Sequence, residues 1–151
     1  MSTPYQRLES KTSVRRSFAI TLGLSEGYGR LDRQHTRQEV IDATLEYMKR
    51  RVASGMPYLS GTVSAEGTVV YAYSNAPGNA GGGSEDTVVF FGEVSVIYNP
   101  DLLDEDAKDI LNEMAAHLGC ILGQTRVYVT YRDEIWVLQL QKSQTPTGET
   151  V

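Results

Sequence analysis

The chain has one cysteine, Cys120, among 151 residues, so no intrachain disulfide can staple it. It has two histidines, His35 and His117, and no Cys/His cluster at zinc-ligand spacing. No metal or cofactor is expected. No apolar run approaches the ~18 residues of a membrane span, and the N-terminus lacks a charged-then-apolar signal pattern. The expectation is a soluble, cytoplasmic protein with no membrane partner. A Walker A loop, a dinucleotide fingerprint after a strand and a His-Glu-x-x-His pair are all missing. Positive charge is scarce beyond residue 51. Residues 1–51 hold ten Lys/Arg against six Asp/Glu, net +4, and the remainder holds four against thirteen, net -9. A chain of overall charge -5 is a poor nucleic-acid binder.

What the sequence does have is a stretch from Thr68 to Tyr98 built around two β-branched and aromatic runs. The first is Thr68-Val69-Val70-Tyr71-Ala72-Tyr73 and the second runs from Thr87 through Val88-Val89-Phe90-Phe91 to Tyr98. Both read as strands. Ser74 to Ser84 lies between them, eleven small or flexible residues that bury little. The expectation is a hairpin with a long mobile tip over residues 75–84.

Residues 1–14 are polar and aperiodic and are expected to form a flexible arm. Phe18, Ile20, Leu22 and Leu24 alternate with small residues, the pattern of a half-buried strand. A polar connection over 25–35 carries Arg30, Arg33 and His35. Thr36-Arg37-Gln38-Glu39 is a capping box, and the helix behind it is expected to bury Ile41, Thr44, Leu45, Met48 and Val52. Gly55 and Pro57 end it. Tyr58 to Ser64 reads as a short strand, separated from Thr68 by a bend at 65–67. Gly92 suggests a bulge or a close backbone approach. A second helix with Asp104 as N-cap buries Ala107, Ile110, Leu111, Met114, Ala115, Leu118, Ile121 and Leu122. Cys120 continues its apolar face and is expected to be a buried thiol, and Gly119 and Gly123 mark its end. The last block runs from Thr125 to Leu140, either as two strands about a turn at 132–134 or as one bent strand. Residues 141–151 are expected to be a disordered tail.

Strand, helix, strand, strand, helix, strand is the split βαβ, ferredoxin-like α+β arrangement, with a single domain over residues 15–140. Two helices on one face of an antiparallel sheet leave the other face bare and partly apolar. The expected remedy is a homo-oligomer packed through that open face. The segments Phe18-Ala19-Ile20-Thr21-Leu22-Gly23-Leu24, Glu85-Asp86-Thr87-Val88-Val89 and Leu122-Gly123-Gln124-Thr125-Arg126-Val127-Tyr128-Val129 resemble short uncharacterised bacterial ferredoxin-like domains. Those carry a strand ending in Gly-Leu, an acidic residue before a central strand and a Leu-x-Gln step after the second helix. The resemblance implies the fold and no particular activity. The long hairpin is also similar in layout, though not in motif, to PII-like proteins.

For function, the residues favour a non-catalytic protein that senses or sequesters a small anionic, nucleotide-like ligand at a subunit boundary. Arginine pairs with phosphate, tyrosine stacks on a ring and glycine-rich backbone cradles anions. The candidate residues are Arg126, Tyr128, Tyr71 and Tyr73, with Asn79, Gly81 and Gly82 of the tip and Arg30, Arg33 and His35 of the second cationic loop. Two alternatives stand beside this reading. One is a small oxygenase- or isomerase-type enzyme using His35 or His117. The other is a protein–protein assembly module.

Overall fold

The computed structural model describes residues 3–26 and 30–141, with residues 30–33 as backbone alone. The elements are a 3-10 turn (Glu9–Lys11), β1 (Ser17–Gly23), β2 (Ser25–Glu26), β3 (Arg30–Gln34), α1 (Arg37–Ala53), β4 (Thr62–Ala76), β5 (Asn79–Glu93), α2 (Asp104–Ile121), β6 (Arg126–Tyr131) and β7 (Glu134–Gln139). Five strands form one sheet in the order β4-β5-β1-β6-β7, with every pair antiparallel. With the strand pair β2–β3 set aside, the order is the ferredoxin-like β-α-β-β-α-β, extended by β7. The last block is therefore two strands about a turn, with Arg132 at a φ of 56°. The tail from residue 142 lies outside the described residues.

Alternation along the strands decides which face is buried. Phe18, Ile20 and Leu22 of β1, Val88 and Phe90 of β5, and Val127, Val129 and Tyr131 of β6 share one core with α1 and α2. Ala19, Thr21 and Gly23 point the other way and are only partly covered. In register with them stand Phe91, Val89 and Thr87 of β5 and Thr130 and Tyr128 of β6. Val137 continues the row on β7. Phe91 and Val137 are 42% and 47% exposed, so the face without helices is apolar and open.

α2 forms as its pattern dictates, except that Ile121 is exposed and Gly119 is buried within the helix. A Cβ on Gly119 would stand 2.9 Å from Val127, so this glycine lets the helix lie close on β6. Gly123, with φ of 62°, is the terminator. Asp104 is not the N-cap. Leu103 holds that position, while Asp104 accepts from the Tyr131 hydroxyl at 2.5 Å and pairs with Arg16 and Arg132. Cys120 is exposed, because the buried stripe turns through Leu118, Gly119 and Leu122.

α1 keeps the expected capping box but buries a shifted stripe, Val40, Ala43, Thr44 and Tyr47; of the expected residues Thr44 is buried and Met48 packs against the core. Leu45 and Val52 stay exposed. The helix is rolled so that Tyr47 meets α2, donating to Glu113 at 3.0 Å.

The hairpin differs most from its expectation. β4 is continuous from Thr62, with a register shift between Ser64 and Gly67, and pairs with β5 out to Ala76 and Asn79. The connection is Pro77-Gly78 alone, with Gly78 at a φ of 83°, the pattern of a type II turn. The glycines are partners in the ladder: Gly81, Gly82 and Gly83 face Tyr73, Ala72 and Tyr71. A Cβ on Gly81 would stand 2.8 Å from the Tyr73 ring, and one on Gly83 3.0 Å from the Tyr71 hydroxyl. Small residues here make room for tyrosine rings. From Thr68 to Ala76 the hairpin runs beyond β1 as an arm of roughly 30 Å at ~3.3 Å per residue. Gly92 carries no bulge but does mark a close approach, with Gly61 Cα 3.2 Å from the position of a Cβ.

Candidate active site

A cleft of about 350 Å³ opens on the bare sheet face where the arm leaves the sheet. Its floor is Thr21, Gly23 and Thr87. Val69, Tyr71 and Glu85 of the arm form one wall, and Gln124, Thr125, Arg126 and Tyr128 form the other. Its volume falls in the range of small-molecule sites.

Glu85 is the unusual group. Its Oε2 is buried without a hydrogen-bond partner among the described residues. Burial pushes its carboxyl above the ordinary glutamate range, and the Ser25 backbone N–H pulls it partly back. An orphaned acceptor in a cleft is costly unless a ligand donor completes it. Gly23 makes the position possible, since a Cβ there would collide with Glu85 Oε2.

The opposite wall is tied to the same backbone. Gln124 Oε1 accepts from the Gly23 N–H at 3.1 Å, and Gln124 Nε2 donates to Ser25 O at 2.7 Å and Leu122 O at 3.1 Å. Leu24 N–H donates to Asp86 O at 2.9 Å. One glutamine and one strand end thus fix the segment from Gly23 to Ser25. Arg126 donates to the Gln139 side chain at 3.2 Å.

Of the residues picked from sequence, Arg126, Tyr128 and Tyr71 line this one cleft. Tyr73, Gly81, Gly82 and Asn79 lie farther out along the arm, with the Tyr73 ring 6.4 Å from that of Tyr71. Arg30 and Arg33 belong to β3, and their side chains are outside the described residues. His35 bridges two carboxylates, with Nδ1 2.7 Å from Glu39 and Nε2 2.9 Å from Glu26. Burial works to lower its pKa, but the bonds to Glu39 and Glu26 prevail and the net shift is upward. His117 lies against Arg50 and Tyr47 between the helices, and burial, then Arg50, lowers its pKa. Neither histidine lines this cleft; His117 lines a separate pocket of about 390 Å³ between the helices.

Sequence reasoning about charge and stacking missed Glu85, Gln124 and Gly23. Their signal was nonetheless present, in the acidic residue before the central strand, the Leu-x-Gln step and the Gly-Leu strand end.

No protein-family model and no curated protein matches the chain. Two solved structures do. One is a phage SAM lyase in complex with S-methyl-5'-thioadenosine, with a TM-score of 0.61, 15% identity, 91% of this chain and 97% of that one covered. The other is a phage SAM lyase in its apo state, with a TM-score of 0.57, 15% identity, and coverage of 92% and 98%. At this identity they establish a shared fold. They also correct the expectation of a non-catalytic sensor or store, because both of these matching structures are of an enzyme.

Proposed function

We propose that this protein is a lyase that cleaves S-adenosylmethionine, or a closely related nucleoside sulfonium, in the cleft around Glu85. The observation that carries the reading is the unpartnered, buried Glu85 carboxylate oxygen in a small cleft, within a fold shared with a SAM lyase. The ligand proposed here carries net positive charge, in place of the anion suggested by the arginines. An orphaned acceptor needs an N–H or O–H donor. The substrate has such donors on its ribose hydroxyls, its adenine amino group and its α-ammonium, and of these the cationic ammonium makes the strongest, charge-assisted bond to a carboxylate, so Glu85 takes the ammonium end. Tyr71 and Tyr128 give the adenine a ring surface and the sulfonium a cation–π partner. Arg126 draws in the α-carboxylate.

The reaction needs no water. Among the described residues the lining includes no cysteine, histidine or lysine, and Glu85 is occupied by the ammonium group. The substrate's own α-carboxylate is then the available nucleophile. It closes onto Cγ, the Cγ–S bond breaks, and the electron pair leaves on sulfur. A substrate of net charge +1 becomes neutral S-methyl-5'-thioadenosine and homoserine lactone with its ammonium intact. Opposite charges merge as the ring closes, so an apolar cleft favours the transition state over the charged ground state.

The same reading makes the protein a homo-oligomer with this cleft at a subunit boundary. The cleft lies on the open apolar face, and the arm reaches beyond its own sheet. Incubating the purified protein with S-adenosylmethionine and quantifying the products by chromatography tests the assignment. Equal amounts of S-methyl-5'-thioadenosine and homoserine lactone support it, and intact substrate overturns it.

A further inference from the structure

Resting on the assignment of the Glu85 cleft as a lyase site, we propose that Gln124 is a positioning residue, which sets the Glu85 carboxylate for the substrate by pinning the Gly23–Ser25 backbone beneath it. Gln124 touches three backbone groups from two segments, Gly23 N–H and Ser25 O from one and Leu122 O from the other. Two of these belong to the seat of Glu85. The carboxylate lies on Gly23, where no side chain could intervene, with Cδ 2.7 Å from the position of a Cβ. The Ser25 N–H beside it favours its ionised form. Gln124 Oε1 approaches the same Cβ position at 3.0 Å from the other side. Gly23 is still paired with Thr87 on the β5 side, but β6 pairs with β1 only as far as Thr21, so on that side the Gly23 N–H has no strand partner and Gln124 supplies one. The glutamine amide supplies both the acceptor and the donor that this gap requires. A hydrocarbon of equal length would supply neither.

The consequence is directional. Gln124 acts through Glu85, so its removal should matter only while Glu85 is present. The experiment uses the full-length protein and four variants, Gln124→Leu, Gln124→Asn, Glu85→Gln and the double variant Glu85→Gln with Gln124→Leu. Asparagine keeps the amide but is too short to span Gly23 and Ser25, and it serves where leucine impairs folding. Two readouts are taken. The first is the ¹³C titration of the Glu85 carboxyl carbon by NMR, which does not depend on turnover. In Gln124→Leu and Gln124→Asn the midpoint should fall back toward that of an ordinary glutamate, as the carboxylate leaves its buried seat. The second is kcat/KM for S-adenosylmethionine, which should drop at least tenfold in Gln124→Leu but show no further drop when Gln124→Leu is added to Glu85→Gln.

An unchanged Glu85 titration in folded Gln124 variants would overturn the positioning role, as would equal losses in the presence and absence of Glu85. If the wild-type protein cleaves nothing, the lyase assignment fails, while the titration still decides whether Gln124 holds Glu85.

Discussion

Gly23 and Glu85 occupy complementary space: the carboxyl carbon of Glu85 lies 2.7 Å from where a Cβ on Gly23 would stand. The glycine is required by that contact, since its backbone is ordinary strand paired with Thr87. Gly23→Ala should therefore evict the carboxylate while leaving the sheet register intact. A cost of ~1–3 kcal/mol in stability is expected from overpacking. Cleavage of S-adenosylmethionine should fall about 100-fold or more, as expected for a misplaced binding group. Denaturant unfolding and initial rates on the same preparation check both parts.

Glu85→Gln makes a different prediction. The wild-type carboxyl is held above its ordinary range by burial, so the folded state binds its proton more tightly than the unfolded state. The ionised form thus costs stability above the folded pKa, and that cost vanishes below the unfolded value near ~4.3. The variant should melt higher than wild type at neutral pH. The gap should close as pH falls through the raised pKa. A variant that melts lower at neutral pH would mean that Glu85 is satisfied in the free protein.

The His35 clamp has the opposite dependence. Its net upward shift means that its stabilisation is fully present below the unfolded value near ~6.5 and is lost as pH rises through the folded one. His35→Gln should remove this dependence. Melting temperatures across pH 5–9 should slope less in the variant than in wild type, with the difference largest on the acid side.

The open face makes the assembly testable. Val137 and Ile135 of β7 are exposed apolar side chains, Ile135 at 69%, and Val137 stands in register with Tyr128 beside the cleft. Wild type at micromolar concentration should sediment as more than one subunit, and Val137→Lys should shift it to the monomer with little change in fold. A wild-type monomer would remove the subunit-boundary placement.

Element types were largely legible because they rest on local periodicity. β1 and α2 follow their apolar patterns almost residue for residue. The tip was misjudged because glycine was read as freedom, whereas here it is space for Tyr71 and Tyr73 on the neighbouring strand. The roll of α1 was hidden because two apolar stripes compete on it, and the tertiary contacts that meet the winning one, such as Tyr47 with Glu113 of α2, are not local in sequence. The cleft was half legible. Arg126, Tyr128 and Tyr71 were chosen for their chemistry, and the fold brings them together. Glu85 looked like one acidic residue among many, because its burial depends on Gly23, Ser25 and Gln124, which are up to about a hundred residues apart in sequence.

The most direct test is the cleavage of S-adenosylmethionine by wild type and Glu85→Gln side by side, with both products quantified by mass spectrometry. The account predicts that wild type releases S-methyl-5'-thioadenosine and homoserine lactone in equal amounts, and that Glu85→Gln, though folded, releases them at least 100-fold more slowly. Substrate left intact by wild type, or a Glu85→Gln protein as active as wild type, would contradict it.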